Sequence, residues 1–141
     1  MSTQLSGEEL AARAETALAV PLQHALGARL LDPADPPAGV CFTVGELAAN
    51  GVGGLHAAAL QAVLELAGYL AVLPHLTVAE HAVTHAVSAQ FVSAAAEGEL
   101  VRAVGTVDRR TRRVAFLSVL ATVGDQVIAR AQLTKSVVAM R

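Results

Sequence analysis

The residues of this chain that could do chemistry are concentrated where a glycine-containing loop runs into an apolar helix. The loop begins at Asn50 and reaches the helix through Gly54, His56 and Ala57, and a carboxylate, Glu65, follows nine residues after the histidine. Glycine lets the backbone approach a ligand closely. The first N–H groups of a helix lack intrahelical partners and lie at the positive end of the helix dipole. This junction is therefore suited to holding a developing oxyanion.

Glu65 carries the one formal charge in the 19 residues from Leu55 to Leu73. A carboxylate in apolar surroundings needs a partner or resists ionisation, and either condition suits a general base. The alternative is a buried structural acid, which would cost on the order of several kcal/mol if it were unpaired.

The same apolar segment is almost long enough to cross a bilayer. Glu65 lies at its midpoint, His56 and Gln61 lie within it, and neither Lys nor Arg flanks it. These features favour a helix enclosed by a protein core over a membrane span, and Pro74 is expected to end it.

Length and composition indicate one globular domain. Of 141 residues, 54% are hydrophobic but only 3% are aromatic, so the core must consist of Ala, Val and Leu. A formal net charge of −2 argues against a disordered chain and against a generally basic nucleic-acid binder. The single cysteine, Cys41, excludes an intrachain disulfide and a multi-cysteine zinc site. Glu8 and Glu9 stand where a leader would be basic and then apolar, so we expect no signal peptide and a cytoplasmic location.

Before the loop, residues 6–18 read as a helix. Ser6 and Glu9 are spaced as a capping box, and Pro21 interrupts the pattern. Two short strands are expected at residues 29–31 and 40–44.

After residue 80 the hydrophobic period changes from 3.6 to 2, which predicts strands. On the first strand, two alternating sets should occupy opposite faces: Val83, His85, Val87, Ala89 and Phe91, against Thr84, Ala86, Ser88 and Gln90. Three more strands are expected, joined by short turns: 100–108, 114–123 and 127–138. Short turns imply an antiparallel meander. The predicted fold class is α+β, with a curved antiparallel sheet wrapped around the central apolar helix.

Asn50, His56 and Glu65 fall at the spacings of a known motif, and the chain resembles the hotdog-fold acyl-CoA thioesterases of the phenylacetate-pathway type. In that motif an Asn and a Gly-containing loop precede His-Gly-Gly at the start of the central helix, and an acid follows nine residues after the His. Two later stretches, THAVSAQFVSAA and IARAQLTKSVV, resemble strands of the family. The resemblance covers residues 38–139 and implies a single hotdog domain over residues 1–141, with residues 1–20 as a helical appendage.

The chain departs from the family motif at three places. The two glycines after His56 are replaced by Ala57 and Ala58, whose methyl groups narrow the approach while the backbone N–H of Ala57 is retained. Glu65 stands where many relatives carry Asp, and Ala94 stands where the family has Pro.

The resemblance implies hydrolysis of acyl-CoA thioesters, with coenzyme A as part of the substrate and no metal or prosthetic group. Glu65 would activate water or attack the thioester directly, and the N–H of Ala57 would hold the oxyanion. Asn50 and His56 would orient the carbonyl group or the water. Thr84 matches a hydroxyl position that helps to orient the acid or the water in relatives.

Several of these residues also have structural interpretations. His56 could serve merely as the cap of the helix, and Asn50 could be an ordinary turn residue. Thr84 could be present for its β-propensity. Gly54 is a candidate for backbone contact with substrate, because glycine permits that approach.

The basic residues are clustered in one predicted hairpin loop, 109–113, which holds Arg109, Arg110, Arg112 and Arg113. A solvated hairpin tip is expected. The alternative is a seat for the phosphates of coenzyme A, with Arg112 and Arg113 as candidate ligands.

Two other functions stay open. A hotdog dehydratase or hydratase acting on enoyl thioesters would carry a His-Phe-Pro-like or Asp-x-x-x-x-His signature, which is absent from this sequence. A non-catalytic acyl-CoA-binding module is the third alternative.

Helix geometry separates His56 from Glu65. Nine steps of 100° place them on opposite sides of the helix, roughly 13 Å apart along its axis. Because neither side chain can span that distance, the pair predicts an active site shared by two protomers of an isologous homodimer. The resemblance implies the same arrangement, commonly doubled into a homotetramer.

Overall fold

A single antiparallel sheet and one long helix dominate the computed structural model, which describes residues 3–141. Nine helices and strands of the described part are, in chain order, α1 (Gly7–Ala19), α2 (Pro21–Leu26), β1 (Arg29–Leu30), β2 (Val40–Thr43), α3 (Ala57–Val72), β3 (Glu80–Phe91), β4 (Leu100–Arg110), β5 (Val114–Val123) and β6 (Gln126–Ala139). The predicted α+β hotdog architecture, a curved sheet around a central helix, is confirmed.

The strand order is β1-β2-β4-β5-β6-β3, and every pair is antiparallel. The predicted meander is therefore right for β4, β5 and β6 but wrong for β3, which pairs with β6 at the far edge. The turn at Glu97 and Gly98 does not close a hairpin between β3 and β4. Instead, the N–H of Gly98 donates to the carbonyl of Val44 at 2.8 Å and that of Glu97 to Gly53 at 3.1 Å. These bonds tie the crossover to the loop that precedes α3.

A β-bulge in β3 overturns the predicted faces of that strand. The register shifts between Thr84 and Ala86, so His85 is the extra residue. A one-residue insertion exchanges the two faces of a strand. Thr84 is consequently on the more buried face before the bulge and Val87 after it, whereas Val83 and His85 are exposed.

The core is formed where the sheet closes on α3, which is apolar almost all round. Side chains that are fully buried include Phe42, Leu64, Leu70, Leu117, Ile128 and Leu133. Gly105 lets β4 pack closely against α3, because a Cβ at this position would lie 2.9 Å from the carbonyl oxygen of Ala67. The stretch Ala57–His75 is long and apolar enough to cross a membrane, but 56% of its most apolar window is buried within the protein.

The first helix is held by a long-range contact rather than by the predicted capping box. Ser6 is the N-cap but makes no side-chain hydrogen bond, because Gly7, at φ +54°, does not continue a regular helical turn from it. Arg13 of α1 donates to the carbonyl oxygen of Glu80 at 2.6 Å. Pro21 does more than interrupt α1: it occupies the first position of α2, where its missing N–H costs nothing.

Candidate active site

The loop before α3 is organised by Asn50. Its Oδ1 accepts hydrogen bonds from the N–H groups of Val52 at 2.9 Å and Gly54 at 3.1 Å. Its own N–H donates to the carbonyl of Gly54 at 2.9 Å. Asn50 therefore has the turn-forming role, and the N–H of Gly54 is already engaged by Asn50 within the protomer.

His56 caps α3. Its Nδ1 accepts from the N–H of Ala58 at 3.0 Å, and its backbone N–H donates to the carbonyl of Ala48 at 2.7 Å. Because Nδ1 is an acceptor, the neutral imidazole carries its proton on Nε2, which is left for a ligand.

The N–H of Ala57 is the first of α3, and no acceptor for it lies within residues 3–141. Ala57 is exposed and lines a cleft of about 320 Å³ with Leu60, Phe91 and Ala95 among its other walls. An unengaged N–H at the positive end of a helix, open to a cleft, is the geometry of an oxyanion donor.

Glu65 lies halfway along α3 and lines a different cavity. This cavity has a volume of about 470 Å³ and lies among α1, α2, α3, β3 and β6. It is bordered by five ionisable side chains as well as apolar ones, namely Arg13, Glu65, Tyr69, His81 and Lys135.

Lys135 of β6 is the one charged side chain that is buried within the described chain, at 3% exposure. Its Nζ donates to Oγ1 of Thr84 at 2.8 Å and lies 5.7 Å from the ring centroid of Tyr69. Burial lowers the pKa of Lys135 to about 8, and the negative charge of Glu65 opposes that fall. A carboxylate and a desolvated ammonium thus border one cavity.

His81 and Tyr69 complete this cavity. Their rings pack edge to face, with centroids 5.7 Å apart. Burial, together with the positive charges of Arg13 and Lys135, lowers the pKa of His81. Burial also raises the pKa of Tyr69, although Arg13 acts against it. Both groups are therefore neutral at pH 7.

Within one protomer the predicted residues form two groups. Thr84 accepts a hydrogen bond from Lys135, which borders the same cavity as Glu65, whereas Asn50, His56 and Ala57 lie at the start of α3. The cleft beside Ala57 and the cavity beside Glu65 share no lining residue.

The arginine cluster is divided by the structure. Arg109 and Arg110 belong to β4 rather than to the loop. Arg110 donates to both carboxylate oxygens of Glu80 at 2.9 Å and to the carbonyl of His75, so it ties two segments together. Arg112 and Arg113 are exposed at the β4–β5 connection.

The sequence did not lead us to predict four residues of this cavity, which are Lys135, Tyr69, His81 and Arg13. The sequence held a signal for the lysine. Every second residue of β6 belongs to one largely apolar face, and Lys135 is the only charged residue among them: Ala129, Ala131, Leu133, Lys135 and Val137. The other three come from separate elements, and only folding brings them to Glu65.

The fold is shared with solved thioesterases. A thioesterase from Haemophilus influenzae is similar with a TM-score of 0.82 and 18% identity, over 98% of this chain and 94% of its own. A variant of a thioesterase from Pseudomonas aeruginosa has a TM-score of 0.83 and 20% identity, over 99% of this chain and 100% of its own. A putative thioesterase, a phenylacetic acid degradation-related protein from Ralstonia eutropha JMP134, has a TM-score of 0.75 and 21% identity, over 90% of this chain and 98% of its own. The fold is that of the hotdog thioesterases.

The sequence itself carries the more specific assignment. The family model described as fluoroacetyl-CoA-specific thioesterase matches residues 43–141, which includes α3 and strands β3 to β6. The chain belongs to this family and is a thioester hydrolase, so the predicted resemblance to hotdog-fold acyl-CoA thioesterases is confirmed. No curated protein matches the sequence.

Proposed function

We propose that the protein hydrolyses acyl-CoA thioesters to the free acid and coenzyme A at a site built from two protomers. One protomer supplies Glu65 and the other supplies the N–H of Ala57, with Asn50 and His56 beside it. The observation that carries this proposal is the separation of an open oxyanion donor and a carboxylate into different cavities of one chain. Only a second chain, related by a two-fold axis, can bring such groups to one thioester.

The chemistry needs a base and an oxyanion donor. Glu65 removes a proton from water, and the resulting hydroxide attacks the thioester carbonyl carbon. The carbonyl oxygen becomes an oxyanion that accepts a hydrogen bond from the N–H of Ala57. The tetrahedral intermediate collapses, the C–S bond breaks, and the leaving thiolate takes up the proton.

A variant of this route has Glu65 itself as the nucleophile. Its carboxylate attacks the carbonyl carbon and expels the thiolate, which leaves a mixed anhydride that water then hydrolyses. Both routes use the same residues, and both release a free thiol and a carboxylic acid.

Arg112 and Arg113 are the proposed seat of the coenzyme A phosphates. Both are exposed, and guanidinium groups bind phosphate oxygens in pairs. Arg110 is not included, because its guanidinium is already engaged by Glu80.

The function is tested by thiol release from acetyl-, fluoroacetyl-, phenylacetyl- and long-chain acyl-CoA, with the Glu65→Gln variant. We expect the variant to lose at least ~100-fold in kcat, the usual scale for a positioned base, while it folds and binds the esters normally. Glu15→Gln removes an exposed carboxylate of α1 and is the matched control. A Glu65→Gln enzyme within a few fold of wild type would refute the assignment. Hydration of enoyl-CoA without thiol release would favour the dehydratase alternative, and tight binding without turnover would favour a binding module.

A further inference from the structure

Lys135 occupies a position where a lysine is costly. It lies on the buried face of β6, next in the alternation to Ala131 and Leu133, and only 3% of it is exposed. Buried charges are rare unless they are paired, because desolvation disfavours the charged form. Among residues 3–141 the ammonium group of Lys135 makes one hydrogen bond, and its acceptor is a neutral group, Oγ1 of Thr84.

The ammonium of Lys135 has one anionic neighbour. Within residues 3–141 the charged and titratable groups that face it are Arg13 of α1, Glu65 and Tyr69 of α3, and His81 of β3. Of these, only Glu65 carries a carboxylate, and its negative charge opposes the fall in the pKa of Lys135. The single ion pair of the described residues joins Arg110 and Glu80, so Lys135 does not contact a carboxylate directly. Lys135 and Glu65 instead border the same cavity.

We propose that Lys135 is a positioning residue for the hydrolysis, whose buried ammonium keeps Glu65 ionised when an acyl group fills the cavity and displaces water. This inference rests on the proposed role of Glu65 as base or nucleophile. Loss of water favours the neutral acid, and a neutral carboxyl group can neither remove a proton nor attack a carbonyl. A fixed positive charge on the wall of the same cavity counteracts that tendency without consuming the lone pairs of Glu65 in a salt bridge.

The inference predicts how activity depends on pH. Lys135 supports Glu65 only while it is protonated, and burial holds its pKa at about 8. Above that pH the loss of the ammonium charge leaves Glu65 ionised, because a carboxyl group stays deprotonated in alkaline solution. The contribution of Lys135 to activity should therefore appear on the acid side of the profile, where Glu65 takes up a proton, and disappear above about pH 8.

The test is the pH profile of kcat/KM for one acyl-CoA, measured with wild type, Lys135→Met and Lys135→Arg. In Lys135→Met the acid limb should move up by about one pH unit or more, so activity at pH 7 should fall while activity at pH 9 stays near the wild-type value. In Lys135→Arg the acid limb should return towards its wild-type position, because arginine stays charged, and most of the activity at pH 7 should return. Arg130→Met removes an exposed charge from the same strand and should keep the wild-type profile.

Three results would overturn the inference. They are a wild-type profile in Lys135→Met, an acid limb in Lys135→Arg that is displaced as far as in Lys135→Met, and a Lys135→Met defect confined to KM at every pH. If Lys135→Met does not fold, Lys135→Gln takes its place, because it is also neutral. An active Glu65→Gln enzyme would refute the proposed function, whereas an inactive Glu65→Gln with an unaltered Lys135→Met would refute only the role of Lys135.

Discussion

Ala57 and Glu65 lie eight residues apart on α3 and line two separate cavities of the same protomer. Eight residues correspond to about 12 Å along a helix axis. The free N–H of Ala57 and the carboxylate of Glu65 therefore cannot act on one thioester within one chain. The relationship makes dimerisation a requirement of the proposed mechanism.

The shared site can be tested by complementation. Asn50→Ala and Glu65→Ala are each expected to be inactive, the first because Asn50 holds the loop that leads to α3. When the two are refolded together and pair at random, half of the dimers are mixed, and each mixed dimer has one intact site. Thiol release should then recover to about a quarter of the wild-type rate. If mixing restored nothing, each site would have to lie within a single chain.

The oxyanion role of Ala57 can be tested by removing its N–H alone. Proline is well tolerated at the first position of a helix, and His56 already has the extended backbone, φ −72° and ψ 131°, that a following proline requires. Ala57→Pro should therefore fold but lose roughly 100- to 1000-fold in kcat. Ala57→Gly retains the N–H and is the control. Comparable kcat values for the two variants would exclude this N–H as the donor.

The proposed coenzyme A seat predicts a selective loss of affinity. Replacing Arg112 and Arg113 by Gln should raise KM for acyl-CoA about tenfold, the scale of one or two hydrogen bonds to a charged group, with little change in kcat. The corresponding acyl-pantetheine, which lacks the nucleotide phosphates, should be unaffected. Arg102→Gln, an exposed arginine of β4, is the control. An equal effect on both substrates would mean that the two arginines are solvated loop residues that do not bind the phosphates.

Gly105 is predicted to be required for the packing of β4 on α3. A Cβ at this position would lie 2.9 Å from the carbonyl oxygen of Ala67 and 3.0 Å from Cβ of Ala71. Gly105→Ala should lower the free energy of unfolding by about 1–3 kcal/mol, as overpacking does in other cores. Gly45→Ala, where a Cβ meets no atom within 4 Å, should change it little. Urea denaturation of the two variants measures the difference, and equal stabilities would show that β4 can move away from α3 without cost.

Lys135 also predicts how stability depends on pH. Its pKa is about 8 in the folded protein and 10.5 when unfolded, so the unfolded chain binds more protons between these values. The free energy of unfolding should therefore rise from pH 8 to 10.5, by at most about 3 kcal/mol. The raised pKa of Tyr69 opposes this trend above pH 10. The quantity to measure is therefore the difference in the free energy of unfolding between wild type and Lys135→Met at each pH. A difference that stays constant over this range would show that Lys135 titrates normally.

Much of the fold could be predicted from the sequence, because the relevant signals are local. The apolar run after the loop predicted α3, Pro74 ended it, and β5 was predicted as residues 114–123. Alternation over ten residues or a proline in a helix acts within the segment that carries it. The spacing of Asn50, His56 and Glu65 is local in the same sense, and together with two later strand sequences it indicated the class of enzyme.

The sequence by itself therefore determined α1, the apolar helix at the centre, the strands, and the candidate residues Asn50, His56 and Glu65. Tertiary structure alone decided that β3 pairs with β6, that a bulge turns Thr84 towards the buried face, and that Lys135 and Glu65 border one cavity. Each of these depends on contacts between segments far apart in the chain, such as the hydrogen bond between Thr84 and Lys135, whose sequence positions differ by 51. Such contacts form only when the whole sheet closes on α3, so no local sequence pattern predicts them. A one-residue slip in register, for example, exchanges the two faces of a strand without any change in its sequence.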